Sequence, residues 1–330
     1  MRIDEHIAKA ISKSEDYLIS VYRGYWSDFL LMPGPSNLWI SAMVITVTKP
    51  TLNPILQAFR TDAFNDLTAY AEKSNFSIGY NKITPYDCDS SIWLARAYAS
   101  LNRAVPPSLL AYINSHLDKT SRYASTYIPS DNIDQFIGVP SEQLVGWYES
   151  HSCVTANYLS LIRELESCIH SKGKSAIGSS FNLDSYWWPT DAYIVALCPY
   201  LLRCASFQCK LLDSFIASFS PPISDYPSAQ NLVRILGSLF DVVANTELLM
   251  SYEFLDTFKK IDQLILDPKN HSWMILPLPE NRDRYFQSRW EYGGLRQGAA
   301  VSDRSGVFTI CVLLSILYYI KGSLPIKISS

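Results

Sequence analysis

Two acids two residues apart, Asp87 and Asp89, open the stretch YDCDSSIWLARAY (residues 86–98); the hydroxyls Ser90 and Ser91 come next, then an apolar run with helical spacing. Four chemistries suit such a pair. The first is structural: Asp89 or Ser90 accepts backbone N–H bonds at the start of a helix, where the helix also favours negative charge. A metal-binding D-x-D is the second; it wants a further carboxylate or histidine close by, and none is near in the sequence. An aspartyl nucleophile of the phosphatase kind is the third, and it needs a hydrophobic strand directly before the first Asp, which NKITPY (81–86) is not. The fourth is a general acid. Two carboxylates this close cannot readily both ionise in an apolar site, so one is held as a neutral carboxylic acid near neutral pH.

An acid of that kind must be positioned by its surroundings, and the chain reads as helices throughout. Six apolar runs begin at small polar or acidic residues near Ser36, Asp89, Ser152, Thr190, Ser238 and Asp303. More amphipathic runs lie between them at 52–72, 107–117, 205–219 and 253–266, and an N-terminal helix is expected over about 5–22. Strand signals are weak. A helix that is hydrophobic all round must be buried on all sides, and a helical pair recurring about every 50 residues is the mark of a repeat architecture. The expected fold is therefore all-α: a single (α/α)6 barrel spanning 1–330, with the apolar helices as an inner ring around a central apolar cavity. An irregular helical bundle is the plainer alternative. Many aromatics precede the apolar runs rather than lying inside them, among them Tyr25, Trp39, Tyr186, Trp187 and Trp188, which suits a cavity lining. Uncharged π faces can also stabilise a cation.

Composition narrows the partners. A net charge of −3 gives no electrostatic reason to expect nucleic acid. The 7 cysteines are scattered and without zinc-ligand spacing, which favours reduced thiols in a cytoplasmic setting. The N-terminal stretch MRIDEHIAKAISKSEDYL has no apolar signal-peptide core. Val307–Ile320, the longest apolar stretch, falls short of the roughly 20 residues needed to span a bilayer.

Asp87-Cys88-Asp89-Ser90-Ser91 and the run after it resemble the D-x-D-D/D-x-D-T motif of the class II terpene cyclases, relatives of squalene–hopene cyclase and the class II diterpene cyclases. SNLWISAMV (36–44), HSCVTANYL (151–159), WWPTDAYIVAL (187–197), Ser272-Trp273 with Pro277, and DRSGVFTICVLL (303–314) resemble further family segments in the same order. With room for one barrel, the chain is most similar to the small monodomain bacterial cyclases of the merosterolic acid synthase kind, which act on a polyprenyl chain carried by an aromatic acid. Ser90 departs from the pattern, standing where many relatives have a third Asp. The resemblance implies an isomerase that protonates the terminal alkene of a geranylgeranyl or farnesyl chain on an acid such as dihydroxybenzoate. A cationic cascade then closes fused rings. It implies Asp89 as the acid, Asp87 beside it, and support from Ser91, His151 and Asn157. Trp39, Trp93, Tyr158, Tyr186, Trp187, Trp188 and Tyr25 are the implied cavity aromatics. On the residues alone, Trp93 is equally a core side chain, His151 a helix cap, and Asn157 a pin between two helices. No cofactor and no metal is expected, with Mg²⁺ called for only by a diphosphate substrate. Such a substrate would use the arginines Arg282, Arg284, Arg289 and Arg296, which also suit a carboxylate or a solvated loop. The alternatives are a cyclase of a prenyl diphosphate and a non-cyclase toroid of the prenyltransferase type. A lipid-soluble substrate is compatible with peripheral contact with a membrane, and the chain with a monomer or homodimer.

Overall fold

Residues 38–47, LWISAMVITV, carry no charge, and they form helix α2 (Leu38–Val47), in which Leu38 to Thr46 are all buried. A second inward helix, α4 (Cys88–Ser100), buries every residue except Asp89, including the charged Arg96. The computed structural model describes residues 3–31, 34–121, 123–138, 140–169, 259, 261–269, 271–276 and 299–323. The segments expected to start at Thr190 and Ser238, the run 205–219, Tyr186, Trp187, Trp188 and the four arginines lie outside these residues.

Among the described residues the helices form paired layers. α1 (Ile3–Ser20), α3 (Pro54–Ala71) and α5 (Pro107–Ser115) are the outer members. The inner members are α2, α4, α8 (Ser152–Ile169) and the last helix, α9 (Val307–Ser323). α4 packs against α2 on one side and α8 on the other; α9 packs against α2; α1 covers α9, α3 covers α2 and α5 covers α4. The last inner helix thus stands beside the first. Two short helices, α6 (Ile133–Ile137) and α7 (Val145–Tyr148), lie in the connection between α5 and α8. Around them Tyr127, Ile133, Ile137, Leu144 and Trp147 form a small satellite core.

The helix starts follow from their caps. Asn53 accepts from Ile55 N and Leu56 N at 3.0 and 3.3 Å, with Pro54 at the first helical position of α3, where its missing N–H costs nothing. Buried Arg60 of α3 donates through Nε and Nη2 to the Ile45 carbonyl at 3.0 and 2.8 Å, satisfying the C-terminal end of α2.

Two short antiparallel ribbons depart from the all-helical expectation: β1 (Asp28–Leu31) with β2 (Gly34–Ser36), and β3 (His271–Leu276) with β4 (Ala299–Asp303). Ser36, expected to open an inner helix, lies in β2 instead. The ribbons tie the two ends of the chain together. Buried Asp28 accepts from Ser305 N at 3.0 Å, from Phe308 N at 2.9 Å and from Phe29 N at 3.0 Å, so a residue of the first strand caps the last helix. Asp303 also caps α9, as its position in the sequence suggested, by accepting from Thr309 N at 3.1 Å.

Candidate active site

Contacts at the helix starts show that the inner helices begin at one end of the ring. Trp39, in the first turn of α2, donates its backbone N–H to Tyr80 O in the loop leading to α4. Its ring packs against Tyr80, Phe29 and Phe308, the last from the first turn of α9, with centroids 6.1, 5.7 and 5.9 Å away. Segment 124–126 bridges the other two starts: His151 N, just before α8, donates to Ala124 O at 3.0 Å, and Cys88 N donates to Thr126 O at 2.9 Å. The loop that delivers Asp87 is pinched at Gly79, where a Cβ would sit 2.1 Å from Pro85 O, a distance that only glycine avoids.

The acid pair sits at this end, and its two members do different things. Asp87 is the N-cap of α4: extended at φ −137°, ψ 154°, its carboxylate accepts from Ser90 N and from Ser90 Oγ, each at 2.7 Å. The capping expected of Asp89 or Ser90 therefore falls on Asp87, because the helix begins at Cys88, two residues before an Asp89 cap would start it. Burial pushes the Asp87 carboxyl up to about 8, against the two bonds from Ser90 and with added repulsion from Asp89 and Asp131. Asp89 is half-buried in the first turn of a helix whose other residues are all buried. Asn157 of α8 donates through Nδ2 to Asp89 Oδ1 at 2.8 Å and to Asp89 O at 3.3 Å.

The hydroxyl support also moves by one residue. Ser91, expected beside the acid, instead ties α4 to the preceding loop: its Oγ donates to Ile78 O at 3.1 Å and accepts from Ile78 N at 3.2 Å. Ser90 is the hydroxyl that serves the acid pair. His151 is buried at the start of α8, next to the segment that bridges to Cys88. Trp39 and Tyr158 are buried in the main core. Trp93 is fully buried, and the Arg96 guanidinium lies 4.3 Å from its ring centre. Tyr25 is 46% exposed, outside the core.

Arg96 and Glu164 escaped the sequence reading. Arg96 Nη1 donates to Asn157 Oδ1 at 2.7 Å, and its Nη2 reaches Glu164 Oε1 at 2.8 Å. A lone charge inside IWLARAYA was the available signal. A second missed group lies behind Asp87: His116 Nε2 meets Asp131 Oδ2 at 2.8 Å, and Tyr112 donates to Asp131 Oδ1 at 3.1 Å. Asp131 and Tyr112 line a surface groove of about 770 Å³ with Lys82, Tyr86 and Phe136. The expected central apolar cavity falls in part on residues outside the described ones. Among the described residues, no cluster of three His, Cys, Asp or Glu is placed to hold a metal, and no helix is long and apolar enough to cross a membrane.

No protein-family model matches the chain, and no curated protein matches it in sequence. Solved structures do match. A variant of the type II terpene cyclase MstE from Scytonema, in complex with geranylgeranyl dihydroxybenzoate, superposes with a TM-score of 0.70 at 18% identity, over 97% of this chain and 99% of that one. A second, apo variant of the same enzyme gives 0.69 at 19%, over 97% and 98%. A protein from Actinoplanes gives 0.66 at 19%, over 95% and 99%. The toroid of paired helices described above is thus the fold of the class II terpene cyclases.

Proposed function

We propose that the chain is a class II terpene cyclase, in which Asp89 protonates the terminal alkene of a polyprenyl chain and starts a cationic ring-closing cascade. One observation carries this reading: the single residue of α4 that is not buried is an acid, and it stands beside a second carboxyl group, on Asp87, that burial holds neutral. An alkene is a very poor base, so its donor must be protonated at rest, screened from water and aimed at the terminal carbon. Asp89 transfers its proton to that carbon, and a tertiary cation forms. Neighbouring alkenes attack in turn, each closing a ring and passing the charge on. Loss of a proton ends the sequence, so product and substrate have equal mass.

The carboxylate left on Asp89 is stabilised by the Asn157 amide and by the N-terminal end of α4. Trp39 and Tyr158 supply aromatic surface near the same end, to which the sequence adds Tyr186, Trp187 and Trp188. His151 adds a polar group. The cited MstE complex holds a geranylgeranyl chain on dihydroxybenzoate, and a similar aromatic-acid substrate is the reading for this chain. The arginines at 282, 284, 289 and 296 are then the candidates for its carboxylate. They also suit a prenyl diphosphate, which is the second arm of the test.

The test is product analysis by mass spectrometry on geranylgeranyl dihydroxybenzoate and on geranylgeranyl diphosphate. Each is run with and without Mg²⁺, using the wild type and Asp89→Asn. The expected result is an isomer of unchanged mass from the aromatic acid, with the rate lowered at least 10²- to 10⁴-fold in the variant. Conversion of the diphosphate alone would reassign the head group. Full activity in Asp89→Asn would refute the assignment of the acid.

A further inference from the structure

Asn157 has a donor end and an acceptor end, and its neighbours decide which way it faces. Arginine has five N–H donors and no acceptor. Arg96 Nη1 lies 2.7 Å from Asn157, so the atom facing it is Oδ1, and Nδ2 is turned toward Asp89 Oδ1 at 2.8 Å. Arg96 is itself held on two sides. Its Nε and Nη2 grip the Glu164 carboxylate, with Nε at 3.1 and 3.2 Å from the two oxygens, and its guanidinium rests on the Trp93 ring. Arg96 follows Asp89 by two helical turns on α4, and Glu164 follows Asn157 by two turns on α8. The four side chains form one line between two packed helices.

Building on the proposal that Asp89 is the acid, we infer that the Arg96–Glu164 ion pair is its positioning device: through Asn157 it makes Asp89 Oδ1 the accepting oxygen and Oδ2 the oxygen that carries and releases the proton. The charges are balanced for this task. A lone guanidinium one amide away would draw the proton off Asp89 at rest and would repel the cation formed after transfer. Glu164 offsets that charge, while Arg96 keeps the geometry of its donors. The Arg96 side chain is 5% exposed and that of Glu164 27%, so the pair is dry at the end facing the acid and wetter at the other.

Other titratable groups lie on α4 and on the elements packed against it. α4 and its N-cap carry Asp87, Cys88 and Tyr98; α8 carries Cys153, Tyr158, Arg163 and Glu166, with His151 just before it. α5 and its C-cap add Tyr112 and His116, and Asp131 pairs with both. α2 carries none. Glu164 is the one of these that shares Arg96 with Asn157.

The test is an infrared titration of the full chain with ¹³C-labelled aspartate. It follows the protonated-carboxyl band that is lost in Asp89→Asn and kept in Asp87→Asn. In Glu164→Gln the guanidinium charge is no longer offset, so the midpoint of that band falls by about one pH unit or more. The alkaline limb of kcat moves down with it, because only protonated Asp89 can transfer. In the double variant Arg96→Gln, Glu164→Gln both charges are gone. The midpoint returns to within about half a unit of the wild type, while kcat stays at least about tenfold low because nothing orients the Asn157 amide. An unmoved midpoint in a folded Glu164→Gln would overturn the inference, leaving the pair a structural tie. A double variant with wild-type kcat would do the same, even if the single variant did not fold. If the wild type shows no Asp89-dependent band at any pH, the acid assignment itself falls, and this inference with it.

Discussion

Replacing Asp87 by Asn should make the protein more stable, and increasingly so as the pH rises from 5 to 7. Burial lifts the Asp87 carboxyl to about 8, while in the unfolded chain it titrates near the ordinary value of about 3.9. Between those values the folded protein holds a proton that the unfolded chain has released. Stability therefore falls with rising pH, by roughly 1.4 kcal/mol per unit, and the fall ends above about 8. Asparagine has the shape of the neutral acid and does not titrate. Its Oδ1 can still accept from Ser90 N, and its Nδ2 can donate to the Ser90 hydroxyl that now donates to Asp87 Oδ2. The advantage of the variant should therefore grow by about 3 kcal/mol from pH 5 to 7, or about 5 °C in melting temperature for a chain of this size. Urea midpoints and thermal melts at pH 5, 6 and 7, at fixed ionic strength, read it directly. Parallel curves for the two proteins would show that Asp87 is already ionised in the native state and would refute the reasoning.

Three further perturbations separate structural from chemical roles. Asp28→Ala leaves the buried Phe308 and Ser305 amides without their acceptor, so it should cost about 2–5 kcal/mol in urea unfolding; a midpoint unchanged from the wild type would show that other groups close the ring. Ser91→Ala should cost about 2 kcal/mol and leave the pH–rate profile in place, because its bonds go to the Ile78 backbone. Ser90→Ala removes a bond that lowers the Asp87 carboxyl, so it should extend the pH range over which stability falls upward. The opposite pattern for the two serines would reverse their assigned roles.

The acid pair stood out in the sequence because two carboxylates at the head of an apolar helix are costly unless hydrogen-bonded or solvated. Which acid caps the helix was not legible, since a two-residue difference in helix start decides it. Nor was the choice between Ser90 and Ser91, because neighbours on a helix point about 100° apart and only the loop at Ile78 shows which one turns toward it. The paired apolar and amphipathic runs gave the toroid. The ribbons β1–β2 and β3–β4 were hidden because strands of 3 to 6 residues hold too little alternation to read. Asp28 gave no sign of being the cap of a helix 280 residues away. Arg96 stood out as a charge in an apolar run, but its partner Glu164 lies 68 residues on, and no local pattern joins them.

The toroid would suit the proposed chemistry because it resolves a conflict that any strong, dry acid faces. Burial among apolar helices keeps a carboxyl protonated and excludes water, yet the same burial opposes the carboxylate that proton transfer must leave behind. Starting α2, α4, α8 and α9 at one end of the ring gathers the positive ends of four helices around the site. Asp89 lies in the first turn of one of them and takes a donor from another. In the proposed mechanism, apolar surroundings favour a protonated acid at rest, and the polarised helix ends would stabilise the carboxylate left after transfer, without added net charge that would oppose a cation. A charged donor in place of Asn157 would satisfy the second requirement at the expense of the first, which is why a neutral amide backed by a neutral ion pair fits this position.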